Sequence, residues 1–287
     1  MIAAALLALA LADAAPAEPA ATAPPAPAAE PVAPAQVAPA VPDWKPLDPA
    51  NTIVMDTTKG RIIIELRPDI APLAAQRIKV LTRQGYYDGA LFYRVLKGFM
   101  AQGGDKGDKQ YRSALPNLKG EFTFRKTAAL PFTSVGTTPM GDVGFVGSLP
   151  VMIDAPAAGA DPAAPPRGWT YFCPGVLSMP HGASPDSANS QIFLMRGHAF
   201  NLEKTFTALG RLVVGQEAVN AINDGEPPPN PDKMTKVRVL ADIPVAQRPK
   251  LQVMNTAGAA FAQLAAAALA KPNATACDIQ VPTRTEG

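Results

Sequence analysis

A mainly β chain, with an antiparallel sheet closed into a barrel, is the architecture this sequence predicts. Two observations carry that expectation. Short segments rich in β-branched and aromatic residues, several with period-2 alternation, recur between turn residues from Thr52 to Ala241. Within that span only two stretches show apolar residues at helical spacing. Many short strands with two helices suit closure of the sheet, which leaves no edge to protect.

The elements follow in order. Thr52–Asp56 and Arg61–Arg67 alternate, with Ile62, Ile64 and Leu66 on one face, and Thr57-Thr58-Lys59-Gly60 supplies a hairpin turn. Pro72 opens a helix, where its missing N–H costs nothing. Ala74, Ile78 and Leu81 repeat along one side of that helix, and Gly85 ends it. The strand pattern Leu91–Gln102 follows, broken at Gly98. From 106 to 174 the pattern weakens. Glu121–Phe124 and Val143–Val146 read as short strands, and Pro150–Gly168 as a long Ala/Pro/Gly surface loop. Gly175–Met179, Gln191–Met195 and Phe206–Val214 read as strands, Gln216–Asp224 as a short helix, and Lys236–Ala241 as a closing strand. Asn255–Lys271 is an Ala-rich helix expected to pack on the domain as a C-terminal tail.

The ends are of different composition. Met1–Leu11 is a short apolar run followed by Ala12-Asp13-Ala14, the pattern of a leader cleaved after Ala14. No Lys or Arg occurs before Lys45, which points to a truncated start or a weak leader. The run is too short to span a bilayer, so no stable membrane anchor is expected. Residues 15–50 are Ala/Pro-rich without period, as in an extended disordered linker. The organisation expected is a leader over 1–14, a linker over 15–50, a folded domain over 51–245 with a divergent, extended stretch at 106–174, and an extension over 246–287. Periplasmic or secreted location follows from the leader, with the cytoplasm as the alternative. Charged residues are only 17% of the 287, the formal net charge is +2, and Lys and Arg are dispersed, which argues against a nucleic-acid partner. Cys173 and Cys277 fit either redox environment; in an oxidising one an even pair would bridge and tie the tail to the domain.

Phe92-Tyr93-Arg94-Val95-Leu96-Lys97-Gly98-Phe99-Met100-Ala101-Gln102-Gly103-Gly104-Asp105 gathers one fixed cation, an apolar pair and an amide. That suits a shallow apolar pocket with one strong donor at its rim; an ordinary core strand with a snorkelling Arg is the plainer alternative. Further along stand Gly175-Val176-Leu177-Ser178-Met179, then Ser190-Gln191-Ile192-Phe193-Leu194, then Leu209-Gly210-Arg211-Leu212-Val213. In these four ordered stretches the chain resembles the cyclophilins, a family of peptidyl-prolyl isomerases. Its members carry F-x-R-V-x-x-G-F-M-x-Q-G-G-D, G-x-L-S-M, S-Q-F-F and V-F-G-R-V runs in this order. The resemblance implies the cyclophilin barrel, about eight strands capped by two helices. It also implies action on proline-containing segments of unfolded or folding proteins, by a monomer without cofactor or metal.

The residues present allow little other chemistry. There is no G-x-S-x-G, Walker loop or G-x-G-x-x-G, and His181 and His198 do not sit at metal-ligand spacing with the cysteines. Ser178, His181 and Asp186 are triad types, but nothing orders them as nucleophile, base and orienter. By the resemblance, Arg94 would hydrogen-bond the prolyl nitrogen and Gln102 the substrate backbone. Phe99, Met100, Phe193 and Leu202 would wall the proline pocket, and Gln191 would line the adjoining groove. Four positions depart from the family. Pro180-His181 replaces Ala-Asn, whose backbone binds the peptide. Asn201 stands where many members have a Trp that contacts cyclosporin, and Phe206 where members have His or Tyr. Pro180, His181 and Phe206 are therefore counted with the substrate-binding set. An isomerase assisting exported proteins is the function expected; a non-catalytic peptide-binding or chaperone module on the same barrel is the alternative.

Overall fold

The computed structural model describes residues 42–105, 113–156, 159, 161, 163–285 of the chain. The apolar leader and most of the Ala/Pro-rich linker lie outside the described residues. Among the described residues there are sixteen strands and three α-helices. In chain order the first strands are β1 (Trp44–Pro46), β2 (Thr52–Thr57) and β3 (Gly60–Leu66), then helix α1 (Pro72–Arg83), β4 (Ala90–Leu96) and β5 (Met100–Asp105). The middle region supplies β6 (Phe124–Arg125), β7 (Phe132–Thr138), β8 (Gly141–Val146), β9 (Leu149–Asp154) and β10 (Arg167–Thr170). There follow β11 (Val176–Met179), β12 (Ile192–Met195), β13 (Thr207–Val214), α2 (Gln216–Asn220), β14 (Lys233–Val239), β15 (Leu251–Met254), α3 (Ala259–Leu269) and β16 (Thr283–Thr285).

Eight strands close into an antiparallel barrel in the order β11-β12-β5-β4-β14-β2-β3-β13, as the sequence pattern predicts. The β2–β3 hairpin turns where Gly60 has φ +129°, a region that only glycine adopts cheaply. Ile53, Met55, Ile62, Ile64, Leu66 and Phe92 fill the interior, with Ala74, Ile78 and Leu81 of α1 joining the same core. Helix α1 begins at Pro72 without a side-chain cap of its own. The Glu121 carboxylate accepts from the N–H groups of Leu73 (3.0 Å) and Ala74 (2.9 Å) instead. A negative group at that end complements both the orphan donors and the helix dipole.

The middle region differs from expectation. Residues 121–123 are irregular, and only Phe124–Arg125 pairs as a strand. Pro150–Gly168 is not a plain surface loop: its two ends are strands β9 and β10 of a five-stranded sheet ordered β6-β10-β9-β8-β7. Strand β9 lies between two partners and is buried from Leu149 to Ile153, so it reads as a continuous apolar run rather than an alternating one. Trp44–Pro46, placed in the linker by composition, is a strand as well. It pairs with β15, which pairs with β16, in a small sheet outside the barrel.

The added parts are tied to the barrel at specific points. Cys173 and Cys277 form a disulfide with a Cα–Cα distance of 5.0 Å, closing a span of 104 residues. Arg211 on β13 is buried, and its guanidinium donates to the carbonyls of Pro174 (3.3 Å), Ser148 (3.2 Å) and Ile279 (3.4 Å). One side chain thus binds barrel, middle sheet and tail together. Desolvation lowers its pKa to about 10, the cost of holding a cation where only carbonyls answer it. Phe261 of α3 packs edge-on against Phe145 of β8 at 5.2 Å.

Candidate active site

Three adjacent barrel strands carry the site. Register pairs Arg94 with Gln102 across β4–β5, and Phe193 with Gln102 and Met195 with Met100 across β5–β12. The β4–β5 pairing slips between Phe92 and Arg94, a bulge that places one extra residue on β4. Phe92 and Val95 both point into the core, and Tyr93 and Arg94 are left half-buried between them. A bulge is a known means of re-aiming a side chain near a site. Here it turns two consecutive residues away from the interior. The strand then reverses at Gly98, whose φ of +68° favours glycine.

A hollow of about 300 Å³ opens there, lined by Arg94, Phe99, Met100, Gln102, Pro180, His181, Phe193, Leu202 and Phe206. Nine of the ten residues nominated from sequence meet in it. The tenth, Gln191, lines an adjoining groove of about 410 Å³ with Ser184, Ser187, Asn189 and Ser190, and Gln102, Pro180 and His181 border both. Aromatic contacts set the wall: Phe193 meets Phe206 edge-on at 5.9 Å and stacks on Phe172 at 6.3 Å. His181 stacks on Phe206 at 4.4 Å, its ring held by the carbonyl oxygens of Gly182 and Thr205, each 2.8 Å from a ring nitrogen. Phe206 thus has an aromatic partner in His181, and Pro180 presents no N–H to the groove.

Two residues at the site escaped the sequence reading. Tyr93 donates to Gln191 Oε1 at 2.6 Å and accepts from Gln102 Nε2 at 2.5 Å, while Gln102 Nε2 also reaches Gln191 Oε1 at 3.2 Å. This network fixes both amides at the boundary between hollow and groove. Glu226, on the loop after α2, accepts from Arg94 Nε at 2.6 Å. Tyr93 was visible as the variable position in F-x-R-V; nothing in the sequence marked Glu226. The triad types are dispersed into structural roles. The buried Ser178 hydroxyl donates to Thr207 O, and Asp186 accepts from the Gly120 N–H. Among the described residues no group of three His, Cys, Asp or Glu is placed to hold a metal ion.

The turn carrying Leu202 is buttressed from the middle sheet. Glu203 accepts from Trp169 Nε1 at 3.3 Å and pairs with His198 Nε2 at 3.4 Å, and the Lys204 ammonium lies 3.5 Å from the centre of the Trp169 ring. Burial pushes the Glu203 carboxyl above its usual range, partly offset by Trp169, His198 and the backbone of Phe172. Burial and the nearby Glu203 charge push the Tyr171 hydroxyl to about 12. Because folded Glu203 holds its proton more tightly than the unfolded chain does, its contribution to stability is full below the usual carboxylate range. That contribution declines as pH rises from there through the raised pKa. Glu203→Gln should therefore flatten the decline of Tm with pH over that interval. Parallel Tm–pH curves for the two proteins would refute the assignment.

Comparison with known proteins agrees with this geometry. Residues 52–240 match the family model described as cyclophilin type peptidyl-prolyl cis-trans isomerase/CLD. A probable peptidyl-prolyl cis-trans isomerase of Brucella suis biovar 1 (strain 1330) is 32% identical over 200 residues, spanning 68% of this chain and 85% of that protein. Peptidyl-prolyl cis-trans isomerase-like 3 of Dictyostelium discoideum is 24% identical over 202 residues, 69% of this chain and 99% of its own. Among solved structures, the crystal structure of cyclophilin AquaCyp293 from Hirschia baltica superposes with a TM-score of 0.78 at 30% identity, covering 85% of this chain and 95% of that one.

Proposed function

The chain belongs to the cyclophilin-type peptidyl-prolyl cis-trans isomerases, and from that premise we propose that Arg94 carries the chemical step on Xaa-Pro bonds of exported proteins as they fold. Rotation about such a bond faces a barrier of roughly 18–20 kcal/mol, because conjugation gives the C–N bond partial double-bond character. Uncatalysed, the exchange takes about 10–100 s at 25 °C. No proton need move. The catalyst has only to bind the twisted amide better than either planar isomer. On twisting, the prolyl nitrogen regains a localised lone pair and accepts a hydrogen bond that the planar amide cannot. A guanidinium is always charged and presents several donors, so it strengthens its bond as the twist develops.

The observation that carries this reading is the placement of Arg94 in the lining of the hollow walled by Phe99, Met100, Phe193, Leu202 and Phe206. The apolar wall takes the pyrrolidine ring, and Gln102, oriented by Tyr93, bonds the substrate backbone. Gln191 lines the groove for residues preceding the proline, where the Pro180-His181 edge alters the donors on offer. A proline-isomerisation assay on the isolated protein is the test. Peptide binding without acceleration would favour instead the non-catalytic chaperone reading, which Pro180 and the departures at Asn201 and Phe206 motivate.

Export to the periplasm or beyond is the compartment we assign. It is supported by the apolar N-terminal run and by the Cys173–Cys277 disulfide, which persists in oxidising surroundings. Action as a monomer without a membrane anchor is part of the same reading. Inhibition by cyclosporin should be weak, since exposed Asn201 offers no aromatic face beside Leu202. Asn201→Trp should tighten inhibition about 10-fold, as one buried aromatic side chain contributes about 1.5–3 kcal/mol. Inhibition of the unaltered protein as strong as that of a Trp-bearing member would contradict this.

A further inference from the structure

The geometry points to Glu226 as a positioning residue for Arg94, an inference that rests on the catalytic reading given above. Glu226 accepts from Arg94 Nε at 2.6 Å, and no other hydrogen bond to the Arg94 side chain occurs among the described residues. Engaging Nε leaves the two terminal nitrogens of the guanidinium without a protein partner there. A carboxylate on one edge of a planar group fixes both its position and its plane, and so directs the remaining donors. Arg94 is half-exposed, with four rotatable side-chain bonds, and would otherwise sample many rotamers at the rim of the hollow.

The loop holding Glu226 is itself built to stay in place. Gly225 exchanges two backbone hydrogen bonds with Val95, the residue after Arg94, at 2.8 and 2.9 Å. Its φ of +149° and its approach to Pro228 exclude a side chain there. Asp232 closes the base of the loop, accepting from Thr58 Oγ1 at 2.6 Å and from the Asn223 N–H at 2.8 Å. On the other side of Gly225, Asp224 accepts from Arg196 Nη1 at 2.5 Å, and the Arg196 N–H donates to the carbonyl of Phe99 at 2.8 Å. The tripeptide Asp224-Gly225-Glu226 therefore grips two arginines, one bearing the donor and one fixed to the backbone of the pocket wall. Donor and wall are held at one spacing by a single short segment.

The role is orientation rather than binding, so its loss should appear in kcat and not in KM. Glu226→Ala is expected to lower kcat about 3- to 5-fold with KM within 2-fold. Glu226→Gln, whose amide oxygen still accepts from Nε, should keep kcat within 2-fold. Combined with Arg94→Ala, the Glu226→Ala change should have no further effect. The measurement is isomerisation of an Xaa-Pro peptide by the four proteins beside wild type, each checked for an unchanged Tm. Wild-type or higher kcat in Glu226→Ala, or an equal loss on top of Arg94→Ala, overturns the positioning role. An Arg94→Ala protein as active as wild type overturns the catalytic reading beneath it, so the two failures are distinguishable.

Discussion

Replacing Arg94 by alanine should lower kcat/KM for an Xaa-Pro peptide about 10²- to 10³-fold, the cost of removing one well-placed donor from a charge-stabilising site. The loss should lie in kcat, because the planar ground state offers the guanidinium little that the twisted state does not improve. Arg94→Lys should recover only a small part. A lysine keeps the charge, but it has no planar fork to answer Glu226 on one edge and substrate on the other. Folding should be untouched. The Arg94 side chain is 35% exposed, and its bond is to a Glu226 side chain that is 56% exposed. Such exposed pairs contribute about 0.2–1 kcal/mol. Equal rates for wild type and Arg94→Ala would remove the guanidinium from the mechanism, whatever the fold.

The second large effect concerns stability rather than rate. Breaking the Cys173–Cys277 bridge releases a span of 104 residues. On a chain-entropy account a loop of that length is worth about 4–5 kcal/mol, which for a domain this size lowers Tm by about 10 °C. Cys277→Ala and reduced wild type should melt together, below the oxidised protein, because Cys173 alone remains a small buried apolar group. Arg211 and the Phe145–Phe261 contact would still hold the tail, so the domain should remain folded at room temperature. Superimposable melting curves with and without reductant would show the bridge to be absent or idle.

The barrel and most of its pocket were legible in the sequence for a physical reason. Arg94, Phe99, Met100 and Gln102 lie on one hairpin, so their spacing along the chain already encodes their meeting in space. Phe193 joins them through a neighbouring strand whose own motif is short and contiguous. Glu226 was illegible because it reaches Arg94 across 132 residues of chain, from a proline-rich loop with no pattern of its own. Strand β9 hid because Pro150 and two covered faces suppress alternation, while β10 sits behind an Ala/Pro/Gly stretch. Trp44–Pro46 is three residues long and is a strand only because Leu251–Met254 lies beside it. Partners that close late in the chain leave no local signature. The Glu121 carboxylate at the start of α1 is another case: a cap supplied from 48 residues away cannot be read at the helix itself.

The irregularity between Phe92 and Arg94 sets a limit on how this gene can vary. Phe92 and Val95 are both buried with two residues between them, so a strand straightened with no residue lost would turn Arg94 to the interior. Deletion of the Tyr93 codon would instead keep Arg94 outward but remove the hydroxyl that binds Gln102 and Gln191. Point replacement of Tyr93 is survivable by comparison. Lineages of this enzyme should therefore vary the residue at that codon more freely than the arginine beside it.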